Sequence, residues 1–178
     1  MRFKITSDFS ISTTLLQFRI EEVPGLPDAQ LRSAPGAMSL RLPVGQDYNN
    51  RAHQEWLNQC VVEGLRRQCR WVLAPRVQAW AERGGISFNR VTFKDVSSRW
   101  GSCSSLRNVN FNLWLLLLDE PLVDYVICHE LAHLKHLNHS AQFYAEVDRI
   151  LGIAGEAHRR DRELNRVSRS LSSLGRYR

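Results

Sequence analysis

The chain has 178 residues, 43% of them apolar and 24% charged, with five tryptophans and a formal net charge of +6. That length supports a real hydrophobic core without disulfide or metal staples, and the composition excludes the disordered and fibrous classes. The longest apolar run, LWLLLL at 113–118, is far short of a bilayer span, and the N-terminus lacks the apolar stretch of a secretory signal.

These features predict a cytoplasmic protein with no membrane contact. Four cysteines (Cys60, Cys69, Cys103, Cys128) form no C-x-x-C pair, so they read as reduced, mostly buried thiols. Cys128 adjoins His129 but points about 100° away around a helix, toward the core. The charge is uneven: residues 159–178 hold seven arginines against Asp161 and Glu163. This basic tail reads as a solvated, partly frayed helical end, with weak nucleic-acid contact as the competing reading.

In chain order, residues 1–45 are strand-rich, with β-branched and aromatic residues broken by the turn signals PGLPDAQ and SAPGA. From Tyr48 the apolar period becomes helical. Trp56, Cys60, Leu65, Cys69, Val72 and Leu73 recur at helical intervals, Pro75 interrupts, and the pattern stops at Gly84–Gly85. That predicts two helices, or one long helix kinked at Pro75. ISFNRVTFKDV and VNFNLWLLLL are strand candidates. In the second, Val109, Phe111 and Leu113 share one face, and Asn110, Asn112 and Trp114 the other. DEPLVDYVICHELAHLKHL reads as a helix, apolar on more than one side, with Asp119 as N-cap, Pro121 in the first turn and an exit at Asn138. Ser140 caps a further helix carrying Phe143, Val147, Ile150 and Leu151, which ends at Gly152. The expected organisation is one α+β domain: a strand-rich part at 1–45, a helical and catalytic core at 48–155, and a basic C-terminal tail at 156–178.

The segment CHELAHLKHLNH at 128–139 carries the chemistry. His129 and His133 are four residues apart and project from one helix face, so two imidazoles can reach one tetrahedral Zn²⁺. Glu130 lies about 100° round, too far for a natural ligand but within reach of a water beside the ion. A catalytic zinc needs a third protein ligand and an open position. His136 would extend a row of three along a rod about 10 Å long, which cannot surround an ion. His139 follows Asn138, where the chain can turn back, and is favoured as the third ligand. A histidine on an apolar helix is ordinarily a satisfied core or surface group. Here a complete H-E-x-x-H with a third histidine at ligand spacing, on an otherwise apolar helix, outweighs that reading.

SSRWGSC at 97–103, the NFNLWLLLL strand and VDYVICHELAHLKHLNHSAQFY together resemble the YgjP-like metallopeptidase domain family, which is more distantly related to SprT-like proteases. The resemblance is specific from about Val96 to Tyr144. It implies a zincin-like fold, with a small, mostly antiparallel sheet packed on the active-site helix and an edge strand above the metal cleft. It also implies His129, His133 and His139 as ligands and Glu130 as base. The strand bearing Asn110 and Asn112 is the candidate edge. The family usually has a glycine in the loop after S-R-W-G-S-C, where this chain reads SSLRNVN, leaving the turn type open. Metzincins share the ligand spacing, but they place a glycine where this chain has His136, and their Met-turn has no counterpart here.

The expected function is zinc-dependent hydrolysis of a peptide or protein substrate, Glu130 activating the water. Asn110, Asn112, Arg99 and Tyr144 are candidate substrate-binding residues, and Arg99, Tyr125 and Tyr144 candidate oxyanion donors. Asp124, Glu146 and Asp148 are near enough in sequence to support the histidines. Two readings compete. The same ion could serve a phosphoanhydride or phosphoester hydrolase, for which 21 arginines supply donors but no glycine-rich phosphate loop exists. Alternatively the chain could be a nucleic-acid-associated protease or adaptor acting through its basic tail.

Overall fold

The computed structural model describes residues 2–174. The chain is α+β, with two small sheets and five α-helices among those residues. Strands β1 (Ser10–Ser12), β2 (Gln17–Val23), β3 (Gln30–Ala34) and β4 (Ala37–Pro43) form the first sheet in the order β1-β2-β4-β3. Alternation dictates its inner face: Phe18, Ile20, Met38, Leu40 and Leu42 are buried while their neighbours face outward. The β3–β4 hairpin turns at Gly36, whose φ of +76° suits a residue without a Cβ. Helix α1 (Arg51–Gln68) covers this sheet. Its fully buried Gln68 accepts from Gly36 N (2.8 Å) and donates to the carbonyls of Ala34 (2.8 Å) and Ala37 (3.0 Å), satisfying the hairpin backbone that the helix hides from water.

The proline at 75 does not break the helix. One π-helical turn at Cys69–Leu73 links α1 to α2 (Ala74–Gly84). Pro75 lacks an N–H and crowds the preceding turn, and a widened turn absorbs both defects. Gly85, at φ +60°, ends α2.

The second sheet contains β5 (Arg90–Lys94), β6 (Gly101–Cys103) and β7 (Asn108–Asn112) in the order β5-β7-β6. β7 runs parallel to β5 and antiparallel to β6. The expected single sheet is therefore two sheets, and two of their five pairings, β2–β4 and β5–β7, are parallel. The strand bearing Asn110 and Asn112 is central, which corrects its assignment as the edge; the edges are β5 and β6. The predicted extension of this strand through LWLLLL also fails. Asn112 accepts from Trp114 N, and Leu113–Leu117 winds into a 3₁₀ turn. Leu113 to Leu116 are all buried, so a continuous apolar run concealed the change of period.

Helix α3 (Glu120–Ala132) lies at the centre, packed against α2, α4, α5 and the second sheet. Leu122, Val123, Val126, Ile127 and Leu131 are buried around it. Asp119 has the extended backbone of an N-cap, but its side chain accepts no capping hydrogen bond. The helix ends at Ala132, six residues before the predicted exit. On the α2 side, Arg76 makes a bidentate pair with Asp124 (2.5 and 2.9 Å) and reaches Glu120 (2.8 Å), while Trp80 Nε1 donates to Asp124 (2.6 Å).

Helix α4 (Ala141–Leu151) is capped by Ser140 and ended by Gly152, and buries Phe143, Val147, Ile150 and Leu151. Asp148 accepts from the amides of Gly155 and Ala157 and so starts α5 (Glu156–Leu174). The expected helical tail is α5 among the described residues, and it packs on α3 and α4 where a solvated helix was expected. Arg159 and Arg160 pair with Glu156 and Glu163, while Arg176 and Arg178 lie outside the described residues. No helix among the described residues is long and apolar enough to cross a membrane. Cys69 and Cys128 are buried and Cys60 and Cys103 half-buried, all four unpaired.

Candidate metal centre

His129 occupies the last turn of α3, and His133 is its C-cap. The chain then unwinds. Lys135 N and His136 N both donate to the Ala132 carbonyl, and six residues of turn bring His139 back against the helix end. Side-chain nitrogens of His129, His133 and His139 lie within 4.8 Å of one another. His129 Nε2 and His139 Nε2 are 3.0 Å apart. His139 is exposed on its outer side, yet its ring turns inward, with centroids 4.9 Å from His129 and 4.8 Å from His133. His136 stays out of the cluster. Its carbonyl instead accepts from His133 Nδ1 at 3.0 Å, leaving His133 Nε2 available.

Beneath the three imidazoles lies Phe143, fully buried, with centroids 4.8, 4.5 and 4.7 Å from His129, His133 and His139. It forms a dry floor that fixes their spacing. Burial, with the neighbouring rings of His133 and His139, holds His129 down to about 3, and burial lowers His133 as well. Both shifts favour the neutral imidazole, the form that nitrogen ligands take.

This donor set fits a divalent ion. Around a tetrahedral Zn²⁺ with Zn–N bonds near 2.0–2.1 Å, neighbouring nitrogens sit about 3.4 Å apart, within the spread of the cluster. Three protein donors leave a coordination position for water or substrate.

Glu130 follows His129 and is only 6% exposed. Burial pushes its carboxyl up to about 8, against the opposing pull of Arg99. Its side chain lies across β6: a Cβ added at Gly101 would fall 2.5 Å from Glu130 Cγ and 2.6 Å from Oε1. The glycine of SRWGSC is thus the surface on which Glu130 rests. The loop before it is held by Asn112, whose Nδ2 donates to the carbonyls of Val96 (2.8 Å) and Arg99 (2.9 Å). Trp100 Nε1 donates to Ser168 Oγ of α5 at 2.7 Å.

A cleft of about 700 Å³ opens over these groups. The 98–105 segment forms one wall, α3 and the three histidines the floor, and Asp161 and Leu164 of α5 the other wall. Leu137 stands at the rim, 90% exposed. Arg99 lines the cleft; Asn110, Asn112 and Tyr144 do not. Asn110 accepts from Thr92 Oγ1 (2.5 Å) and donates to Ser102, bonds internal to the sheet. Tyr144 stacks on His158, with centroids 3.9 Å apart.

A model of the YgjP-like metallopeptidase domain matches residues 28–166. The chain belongs to the YgjP-like family. Its general class is therefore that of a metal-dependent peptidase. The match runs from just before β3 into α5, well beyond the segment in which the motifs are concentrated. A similar solved structure is the crystal structure of the metallopeptidase zymogen of Pyrococcus abyssi abylysin, at 25% identity and a TM-score of 0.44, covering 51% of this chain and 90% of that one. No curated protein matches significantly.

The YgjP-like site has members that the sequence did not flag. Asp124, Glu146 and Asp148 are engaged elsewhere: Asp124 with Arg76 and Trp80, Glu146 with Lys135 and Arg149, Asp148 with the start of α5. The carboxylate linked to the cluster is Asp161, through Tyr125 to His129. It accepts from Tyr125 Oη at 3.0 Å, and Tyr125 Oη lies 3.2 Å from His129 Nδ1.

Proposed function

We propose that this protein is a zinc-dependent peptidase in which His129, His133 and His139 hold the ion and Glu130 is the general base. The observation that carries this reading is the convergence of three imidazole nitrogens, from the end of α3 and the turn after it, beside the buried carboxylate of Glu130 at the floor of an open cleft. A zinc ion held there supplies Lewis acidity, which acidifies a water and polarises the scissile carbonyl.

Glu130 accepts the proton of the attacking water and returns it to the leaving amine. Its burial makes it more basic than a solvated carboxylate, which suits proton transfer near neutral pH. Gly101 keeps the side chain flat against β6, and the Phe143 floor keeps water from beneath the imidazoles. An extended peptide lies along the β6 edge, using backbone hydrogen bonds as an added strand. Arg99, the one guanidinium lining the cleft among the described residues, faces the developing negative charge. Leu137 at the rim offers an apolar contact to a substrate side chain.

The test pairs two variants. Glu130→Gln retains stoichiometric zinc and loses peptide cleavage by at least about 10²-fold, the usual contribution of a positioned base. His139→Ala loses zinc and cleavage together. Full turnover by Glu130→Gln, or full zinc content in His139→Ala, overturns the assignment.

A further inference from the structure

Helix α5 completes a part-buried hydrogen-bonded chain beside His129. Tyr125 is only 1% exposed and lies one turn before His129 on α3. Its hydroxyl has one proton and two neighbours, Asp161 Oδ1 at 3.0 Å and His129 Nδ1 at 3.2 Å. A carboxylate only accepts, so the tyrosine proton goes to Asp161. The remaining contact is satisfied only if His129 Nδ1–H donates to the tyrosine oxygen. Asp161 is itself held from its other oxygen by Asn165 Nδ2 (3.2 Å), one turn further along α5.

We propose that Tyr125 and Asp161 are positioning residues that fix His129 in its Nδ1–H tautomer, turning the Nε2 lone pair toward the shared centre. This rests on the reading of His129 as a ligand. The His136 carbonyl does the same for His133 through local backbone. For His129 the acceptor, Tyr125 Oη, lies on the same helix, but the carboxylate that orients it, Asp161, arrives on α5 from more than thirty residues away, so docking of α5 sets the orientation of this donor. Such outer partners typically contribute 10- to 100-fold to metal affinity.

The experiment has two arms on full-length protein. In the first, ¹⁵N NMR of metal-free protein reads the His129 tautomer in wild type, Tyr125→Phe and Asp161→Asn. Wild type shows the Nδ1–H form. Tyr125→Phe, which keeps the ring packed at 5.6 Å from His129, shifts toward Nε2–H. Asp161→Asn weakens the bias less, because the amide oxygen still accepts. In the second arm, chelator competition with Zn²⁺ alone gives affinities: Tyr125→Phe falls 10- to 100-fold, Asp161→Asn falls less, and the melting temperatures of the metal-free proteins stay close to wild type. An unchanged tautomer in Tyr125→Phe overturns the inference whatever the metal result. Unchanged Zn²⁺ affinity with a shifted tautomer overturns the positioning role. Failure of wild type to bind Zn²⁺ overturns the zinc reading and the positioning role with it, leaving the tautomer lock standing on the first arm.

Discussion

Gly101→Ala isolates the role of Glu130 without touching Glu130. The new Cβ would lie 2.5 Å from Glu130 Cγ, 2.6 Å from Oε1 and 2.7 Å from Cδ. Ordinary contacts between such atoms are about 3.5–4.0 Å, so something must move by about 1 Å. The strand is poorly placed to yield, because Gly101 is in register with Phe111, whose side chain is buried in the core. The backbone of α3 is packed on several sides. The Glu130 side chain yields instead, and since Cγ itself is struck the whole carboxyl swings away. A misplacement of about 1 Å at a catalytic group costs on the order of 10²-fold in rate, equivalent to about 3 kcal/mol of activation free energy. The overpacking itself costs about 1–3 kcal/mol of stability, or roughly 2–12 °C in melting temperature for a chain of this length. Three measurements check this: kcat/KM on a peptide found by an unbiased cleavage screen, zinc content, and thermal melting. The expected pattern is a folded protein with full zinc and kcat/KM reduced about 100-fold. Wild-type kcat/KM would refute the reasoning. So would loss of zinc alongside activity, because the helix and its ligands would then have moved instead of the carboxyl.

Three further outcomes follow from the same geometry. Arg107 holds φ +57° in the β6–β7 turn, so Arg107→Gly is more stable than Arg107→Val by about 1–2 kcal/mol; both lose the guanidinium contacts to Ser87, and equal stabilities in urea would refute the backbone argument. Asn112→Ala orphans the carbonyls of Val96 and Arg99, costing about 2–3 kcal/mol and speeding amide exchange in residues 96–101; unchanged exchange there would show that Asn112 does not hold the loop. In metal-free protein, burial raises the folded Glu130 carboxyl to about 8 from an ordinary value of 4.5. Folding is therefore favoured by its protonation, and its contribution is lost as pH rises from about 4.5 to 8. The stability advantage of metal-free Glu130→Gln over wild type should grow across that window, by about 5 kcal/mol at most; a pH-independent difference in urea midpoints would contradict the burial argument.

The parts of the site legible in the sequence are those set by local periodicity. An i, i+4 pair shares a helix face whatever surrounds it, so His129 and His133 could be placed together from spacing alone. That His139 and not His136 would turn back to join them was also legible, because three side chains in a row along a rod cannot converge on one point. The structure adds why the chain can turn: α3 stops at Ala132, and His136 spends its carbonyl on His133. The rest depends on contacts distant in sequence. Gly101 reads as a turn residue until Glu130 is laid across it. Phe143 reads as one more apolar position of α4, and nothing local says that its ring lies under three imidazoles. Asp161 sits among arginines, where a reader sees charge compensation. The asparagines of β7 were misread because strand order is not encoded in strand pattern: a parallel partner, β5, arrives from before the SRWGSC loop and makes β7 central.

The missing glycine in SSLRNVN has an answer of the same kind. The β6–β7 turn still needs a left-handed residue, and Arg107 supplies it. Its amide donates to the Ser104 carbonyl, its own carbonyl accepts from Asn89 N, and its guanidinium reaches Ser87. One bond within the turn and the contacts to Asn89 and Ser87 outside it offset a conformational cost of about 1–3 kcal/mol. The turn anchors the far end of β6, while Asn112 anchors the near end through the carbonyls of Val96 and Arg99. β6 is only three residues long and would be a weak edge by itself. Pinned at both ends, it becomes a rigid plate for the one buried carboxylate of the cleft, with α5 bracing the same loop through Trp100 and Ser168. Rigidity at β6 and the tautomer lock at His129 answer one physical requirement: groups that act on a small reacting centre must be held within a fraction of an ångström. In this chain, elements far from the H-E-x-x-H segment do that holding.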